Sequence, residues 1–205
     1  MARTVDFPAG YVIIYVISYK RTVGAVHRRA FKYFYCEVSD MRKAASVFLC
    51  SEIRRNDVDN LVYWLKNPAV TRFLNEERDI SASLEALADR VPEPMLGYHL
   101  NRIGRFLLIR TPEDGSIGFV KLTENRTPGS WEIVYAVGDD MIWGKGYGEA
   151  AIRQAVLWAE KELNAVELTA KIDPENLRSS RLACACGFLP VERGERWDIW
   201  RRKIG

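Results

Sequence analysis

Three glycines alternate with other residues where a long amphipathic helix is predicted to begin. Gly144, Gly146 and Gly148 are separated by Lys145 and Tyr147. Glycine lets a backbone turn sharply and direct its N–H groups toward one point, because no Cβ atom stands in the way. The first turn of a helix adds up to four unpaired N–H groups and roughly half a positive charge. The stretch is therefore predicted to bind a phosphate group.

Three interpretations of this loop compete. A Walker loop needs Ser or Thr directly after its Gly-Lys pair; here Gly144-Lys145 is followed by Gly146, which excludes it. A dinucleotide loop reads G-x-G-x-x-G after the first strand of a βαβ unit. This loop reads G-x-G-x-G after the third strand of a predicted meander, so that match is weak. A glycine-rich connector without a ligand stays open for the loop considered alone.

Cysteine and histidine are too few and too widely spaced to predict a metal site. The four cysteines include no C-x-x-C pair, and the two histidines lie far apart in the sequence. A structural zinc site needs about four ligands, usually in closely spaced pairs. The candidates are Cys36, Cys50, Cys184, Cys186, His27 and His99. We therefore expect no metal, and free thiols in a reducing cytoplasm.

Composition and charge give no reason to expect a nucleic-acid or membrane partner. Of the 205 residues, 48% are hydrophobic and 28% are charged, and the formal net charge of +3 is too small to indicate nucleic-acid binding. No apolar run approaches the ~20 residues of a membrane-spanning helix. The apolar segment 11–19 also lacks the basic flank of a secretory signal.

Residues 1–45 are predicted to be an N-terminal extension of uncertain structure, in front of one domain formed by residues 46–205. The extension contains eight Lys/Arg and three Asp/Glu, whereas the rest of the chain contains 22 and 24. Its basic and aromatic segment 27–35 would suit a nucleic-acid or membrane surface. No periodicity supports that interpretation over an extra strand or a loosely packed extension. A true start at Met41 is a third interpretation.

Hydrophobic periodicity and turn residues predict an α+β order of elements. The predicted strands are residues 47–53, 105–110, 116–122, 131–137, 166–172 and two short strands within 188–204. The predicted helices are residues 57–66, 81–90, 146–163 and 173–186, with a short helical or turn segment at 69–74. Asp57 and Ser81 are expected to cap their helices, and the Pro-rich segment 91–94 is expected to stop the second. Three consecutive strands with short loops predict an antiparallel meander. Combined with a helical crossover, they predict a mixed, mostly antiparallel sheet flanked by helices.

Two motifs in the second half of the chain resemble the GNAT acetyltransferase superfamily. The family's phosphate loop reads Gln/Arg-x-x-Gly-x-Gly/Ala, and residues 143–148 (WGKGYG) fit it with Trp143 at the first position. Residues 176–179 (NLRS), followed by Gly187-Phe188, are similar to the family's N-x-x-S/A helix, which ends in a Gly-Phe pair. The amino-acid sequences of the loop and of the segment 63–70 (YWLKNPAV) resemble those of the branch of ribosomal-protein N-terminal acetyltransferases. The resemblance covers about residues 46–204 and implies a GNAT-like fold.

The resemblance implies acetyl-coenzyme A as the co-substrate, without a metal. In the family, the pyrophosphate lies at the start of the helix, and pantetheine lies where the fourth strand splays from the fifth. Carried onto this sequence, the cofactor-binding residues are Val134, Tyr135, Ala136, Val137, Trp143, Gly144, Lys145, Gly146, Tyr147, Gly148, Glu149, Asn176 and Ser179. Arg178 and Arg181 are either contacts of the 3′-phosphate or solvated surface residues.

Transfer of an acetyl group to an amine requires removal of a proton from nitrogen, and an acid can then protonate the leaving thiolate. Glu132 is the predicted base, because strand alternation turns it away from Trp131 and Ile133; a solvated strand residue is the alternative. Many family members carry a Tyr seven residues after the motif's Asn. Ala183 stands there in this chain, so Ser179, a water molecule or no acid at all remain open.

The resulting prediction is an enzyme that transfers an acetyl group from acetyl-CoA to a primary amine by direct attack on the thioester. The acceptor is a protein N-terminus or a small molecule, and an aminoglycoside or other small-molecule amine acetyltransferase lies within that range. A degenerate GNAT domain that binds CoA as a sensor or interaction module is the alternative from another class. The predicted location is the cytoplasm, and a homodimer is left open.

Overall fold

The computed structural model describes residues 45–74, 80–113 and 115–205, together with the backbone of two short strands nearer the N-terminus. These two strands, β1 (Tyr11–Ile13) and β2 (Tyr35–Glu37), pair antiparallel with each other. The interpretations of the basic and aromatic segment 27–35 and of a start at Met41 fall outside the described residues, apart from the backbone of Tyr35 in β2.

Seven further strands of the described chain form one sheet. They are β3 (Phe48–Cys50), β4 (Arg105–Thr111), β5 (Gly115–Glu124), β6 (Ser130–Val137), β7 (Glu167–Ile172), β8 (Leu189–Arg193) and β9 (Asp198–Lys203). Their order across the sheet is β3-β4-β5-β6-β7-β9-β8. β6 and β7 are parallel, and the other neighbouring pairs are antiparallel. The predicted α+β class is confirmed, including the meander of β4, β5 and β6.

Six α-helices are assigned in the described residues. They are α1 (Arg55–Lys66), α2 (Pro68–Thr71), α3 (Ile80–Arg90), α4 (Glu93–Leu100), α5 (Tyr147–Leu163) and α6 (Leu177–Ala185), and a 3-10 helix spans Asp140–Ile142. None of the helices in the described ranges combines the length and apolarity that crossing a membrane requires.

The sheet separates two hydrophobic clusters, because successive side chains of a strand point to opposite faces. On one face, α5 contributes Ala155 and Val156 to a cluster that also contains Ile133 of β6 and Trp200 of β9. On the other face, α1, α3 and α4 pack against a cluster that includes Ala136 of β6. Strand β6 therefore contributes side chains to both clusters.

The start of α1 differs from its prediction as a helix capped by Asp57. Arg54 occupies the cap position, and Asp57 lies three residues later, where its carboxylate accepts the Arg54 N–H at 2.8 Å. The same carboxylate accepts hydrogen bonds from Arg110 Nη2 at 2.9 Å and Ser116 Oγ at 2.6 Å. A carboxylate in the first turn still complements the helix dipole, and here it also ties α1 to β4 and β5.

Four other elements differ from their predictions. The first strand of the sheet is limited to β3, and α3 begins at Ile80 rather than after a Ser81 cap. Helix α4 follows the Pro-rich segment that was expected only to end α3. Proline is tolerated there because N–H groups in the first turn have no partner within the helix. The last helix, α6, begins at Leu177 instead of residue 173, with Asn176 as its cap.

Candidate functional site

Strands β6 and β7 pair over three residues and then separate. The pairs are Ser130–Glu167, Trp131–Leu168 and Glu132–Thr169. Beyond them β6 continues to Val137 and β7 continues to Ile172 without pairing to each other. The two strands thus open into a V-shaped gap, as the family resemblance implied.

The backbone of β6 alternates between strand β5 and this gap. The Gly138 N–H bonds to the Ile117 C=O at 2.8 Å, in register with the β5–β6 pairs. In an antiparallel pair, hydrogen-bonded and non-bonded positions alternate, so Val134 and Ala136 direct their backbone groups to β5. Tyr135 and Val137 direct theirs to the gap. The Val137 C=O already accepts a hydrogen bond from Trp143 Nε1 at 2.8 Å.

The glycine loop has the backbone conformation that only glycine adopts readily. Gly144 has φ +78° and Gly146 has φ +89°, in the left-handed region. The first bond of α5 runs from the Ala150 N–H to the Gly146 C=O at 3.0 Å. The N–H groups of the preceding residues therefore have no acceptor within the helix. A Cβ atom on Gly146 would meet nothing closer than the Ala45 Cβ at 3.8 Å, so the space above the loop is open.

Gly148 has a different role from the other two loop glycines. A Cβ atom there would lie 3.0 Å from Leu182 Cδ2 of α6 and 3.8 Å from the ring of Tyr135. Its missing side chain lets the start of α5 approach α6 and β6 closely.

The start of α6 is bound to both the loop and β6. The guanidinium carbon of Arg178 lies 3.5 Å from the Trp143 ring centroid, a cation–π contact between α6 and the loop. Asn176 Oδ1 accepts the Ser179 N–H at 3.1 Å and caps the helix. Ser179 Oγ lies 2.9 Å from the Tyr135 hydroxyl of β6. Burial raises the pKa of Tyr135 to about 12, so the phenol is protonated at neutral pH.

These elements enclose one continuous cavity of about 900 Å³. Of the thirteen residues predicted to bind the cofactor, all except Lys145 line it. The charged side chains among its described lining residues are Glu149, Lys171, Arg178 and Arg181. The Glu149 carboxylate is paired with Arg153 at 2.8 Å. The lining is therefore net positive, which suits an anionic ligand.

Glu132, the predicted base, lies beside the cavity and is not among its lining residues. Strand alternation places its side chain on the face of β6 opposite to Tyr135. Its Oε2 forms an ion pair with Lys171 Nζ at 2.6 Å, and its side chain is 16% exposed. Lys171 itself lines the cavity. The Glu132 carboxylate is thus connected to the cavity lining by its ion pair with Lys171. The sequence did not indicate this partner.

No cluster of three or more His, Cys, Asp or Glu side chains that could hold a metal occurs among the described residues. Cys184 lines the cavity, whereas Cys186 is buried, with its thiol donating to the Glu149 C=O at 3.9 Å. Burial raises the pKa of Cys186 to about 12, so this thiol is protonated and unreactive at neutral pH.

A sequence profile described as an acetyltransferase (GNAT) domain matches residues 49–189, well over half of the chain. The chain belongs to the GNAT acetyltransferase family. A relative from Bacillus licheniformis, described as the uncharacterised N-acetyltransferase p20, is 26% identical over 136 residues. That match covers 64% of this chain and 73% of the relative.

Two solved structures show the same GNAT fold. Spermidine N-acetyltransferase from Vibrio cholerae, in complex with CoA and spermine, has a TM-score of 0.60 and 21% identity, covering 76% of this chain and 92% of that one. Aminoglycoside acetyltransferase AAC(6')-Ib, in complex with CoA and kanamycin, has a TM-score of 0.61 and 17% identity, covering 77% and 95%. Spermine and kanamycin are the ligands of those two proteins. Neither structure carries the ribosomal-protein description, so the comparisons establish family and fold, and that branch stays a prediction.

Three contacts of this GNAT domain were missed by the sequence interpretation: Tyr135–Ser179, Trp143–Arg178 and Glu132–Lys171. Each joins β6 or its following loop to an element at least 35 positions later in the chain. A partial signal was present for Tyr135, because alternation along β6 already placed it opposite to Glu132. The partners on β7 and α6 depend on the angle at which the strands separate.

Proposed function

We propose that this chain is an acetyl-CoA-dependent N-acetyltransferase that acts on a primary amine by direct attack on the thioester. The observation that carries the proposal is the junction of two features in one cavity. The gap between β6 and β7 meets the left-handed glycine loop at the start of α5. Membership of the GNAT family supports the same chemistry.

The glycine loop is the proposed pyrophosphate site. Unpaired N–H groups before Ala150 and the positive end of the α5 dipole would bind two phosphate charges with hydrogen bonds. Lys145 is exposed and outside the cavity lining; its backbone N–H rather than its side chain is the proposed contact. Arg178, fixed over Trp143, and Arg181 are the proposed partners of the remaining phosphate.

The gap between the strands is the proposed pantetheine site. Tyr135 offers its backbone N–H and C=O there and Val137 offers its N–H, so pantetheine amides would extend the sheet as a short added strand. Val134 and Ala136 would contribute side-chain contacts, since both line the cavity. Asn176 and Ser179, at the start of α6, are the proposed contacts near the thioester.

Proton transfer is proposed to involve Glu132 and Ser179. Glu132 lies on the face of the sheet that carries α1 and α2. On that face the cavity is lined by apolar residues of α2 and of the turn that follows it. An amine bound on that face would deliver its proton to Glu132 directly or through one water. Lys171 holds the carboxylate in place. Ser179 is the proposed hydroxyl on the thioester side, acting directly or through the Tyr135 hydroxyl 2.9 Å away.

The acceptor is proposed to be either a protein N-terminus, following the resemblance of segment 63–70, or a small-molecule amine such as those in the related structures. The test is release of CoA from acetyl-CoA over a panel of N-terminal peptides, spermidine and kanamycin. Accelerated release with one class identifies the acceptor. Binding of acetyl-CoA without acceleration by any amine would favour the degenerate CoA-binding domain instead, for which Ala183 is the supporting observation.

We further propose that residues 46–205 form the catalytic domain, with the N-terminal extension outside it, and that the protein works in the cytoplasm. Acetyl-CoA and a free buried thiol such as Cys186 both fit a reducing compartment. Neither a membrane nor a nucleic acid is part of the proposed activity, and sedimentation would decide between monomer and homodimer.

A further inference from the structure

The phenol of Tyr135 has a contact that its proposed backbone role does not use. Its side chain lines the cavity, and its hydroxyl lies 2.9 Å from Ser179 Oγ. The ring lies next to the first turn of α5, 3.8 Å from the position of a Cβ on Gly148. The hydroxyl is therefore held between the starts of α5 and α6, beside the proposed pantetheine site.

Helix α6 lacks a hydroxyl at the position where the family resemblance led us to expect one, and that position lies outside the cavity lining. Ala183, seven residues after Asn176, is 4% exposed and belongs to the same hydrophobic cluster as Tyr135. A methyl group cannot donate a hydrogen bond.

We propose that the Tyr135 hydroxyl donates a hydrogen bond to the sulfur of the departing CoA thiolate, with Ser179 as the residue that positions it. The donor thus comes from strand β6 instead of helix α6. This inference rests on the proposed function and names a group for its leaving-group step.

The chemistry balances without a further reactant. The amine nitrogen forms a bond to the acetyl carbon, the carbon–sulfur bond breaks, and its electron pair stays on sulfur. Nitrogen loses one proton to the base, and sulfur gains one on release as CoA. A thiol of ordinary pKa, about 8.5, is a stronger acid than this phenol. Tyr135 therefore keeps its proton and stabilises the thiolate by hydrogen bonding.

Ser179 supports this orientation. If its Oγ–H donates to the phenol oxygen, the phenol proton is free to point at sulfur. Ser179 is itself fixed, because its N–H is bound to Asn176 Oδ1. Its effect passes through Tyr135, so losses from the two hydroxyls should not add.

The first test compares the affinities of CoA and acetyl-CoA by calorimetry, at neutral pH and at about pH 9, where the CoA thiol ionises. CoA should gain affinity over acetyl-CoA as the pH rises in the wild-type protein. Tyr135→Phe should remove about 10- to 100-fold of that preference, with less than about a twofold change for acetyl-CoA. A preference that Tyr135→Phe leaves intact would overturn the proposal. This readout needs no turnover, so it separates failure of the inference from failure of the transferase assignment.

The second test is kinetic. Tyr135→Phe should lower kcat by about 10- to 100-fold with little change in KM for acetyl-CoA, and Tyr98→Phe, an exposed control, should lower neither. The double variant Tyr135→Phe/Ser179→Ala should be no slower than Tyr135→Phe. Additive losses would refute the positioning role of Ser179, and a kcat equal to wild type in Tyr135→Phe would refute the donor.

Discussion

Substitution of Gly146 by aspartate places a carboxylate at the proposed pyrophosphate site. Asparagine at the same position is a matched control with the same shape and no charge. Gly146 has φ +89° and open space around its missing side chain. Both variants should therefore lose the same small amount of folding free energy, about 1 kcal/mol for a side chain in the left-handed region. Asn and Asp tolerate that region better than other side chains.

The charge is the difference between the two variants. At about 5 Å and an effective dielectric constant of about 20, two like charges repel by about 3 kcal/mol. That energy corresponds to about a hundredfold change in Kd, and salt screening should leave at least about tenfold. A carboxylate at the helix N-terminus also competes for the N–H groups that would bind phosphate. Gly146→Asp should thus bind acetyl-CoA about 10- to 100-fold more weakly than Gly146→Asn.

The assay is calorimetric titration of acetyl-CoA into the wild type and both variants, at low and high salt. Urea unfolding of each variant checks that the fold is retained. The difference between the Asp and Asn variants should shrink as salt rises. Equal affinities for the two variants at low salt, with both folded, would refute the assignment of this loop as the phosphate site.

Three other predictions concern the base, the anchor of α1 and a buried thiol. Glu132→Gln should lower kcat with little change in KM for acetyl-CoA; a wild-type pH–rate profile in this variant would remove Glu132 from the mechanism. Asp57→Ala should cost about 3 kcal/mol of unfolding free energy because it leaves the Arg110 charge without its carboxylate partner. The control Asp59→Ala, at an exposed position, should cost less than about 0.5 kcal/mol. Equal urea midpoints for the two variants would contradict this. The pKa of Cys186 is raised from 9.0 to about 12, so the unfolded chain loses this thiol proton at a lower pH than the folded protein does. The contribution of this group to folding stability is therefore fully present below pH 9. That stability should be lost above pH 9 at about 1.4 kcal/mol per pH unit. Urea unfolding between about pH 9 and 10 should show a shallower loss for Cys186→Ala, and an unchanged slope would contradict the shift.

The parts of the fold that the sequence predicted best are those set by local patterns. The first two strands of the meander are short apolar runs that end at turn residues, and the stripe of small and apolar residues on α5 has helical spacing. Helix α4 was missed because Pro92 and Pro94 were interpreted only as helix breakers. Proline in a first turn gives up no hydrogen bond, so the same residues can also start a helix.

In the candidate site, too, the features set by consecutive residues could be predicted and those that depend on distant contacts could not. The glycine loop could be predicted because its backbone requirements are written in consecutive residues, and the positive φ angles of Gly144 and Gly146 agree with them. The Tyr135–Ser179 bond could not be predicted, since its partners are 44 positions apart and meet only where β6 leaves β7. Asp57 was assigned to a helix cap because its partners on β4 and β5 lie more than 50 positions away.

The most direct test of the central claim follows the acetyl group itself. The protein is incubated with acetyl-CoA labelled in its acetyl carbons and with the acceptor found in the amine panel, and mass spectrometry locates the label. Direct transfer predicts label on the acceptor nitrogen, an equal amount of free CoA, and none on the protein. Label on Ser179 or Cys184, or acetyl-CoA that stays bound and intact with every amine, would contradict an N-acetyltransferase acting by direct attack.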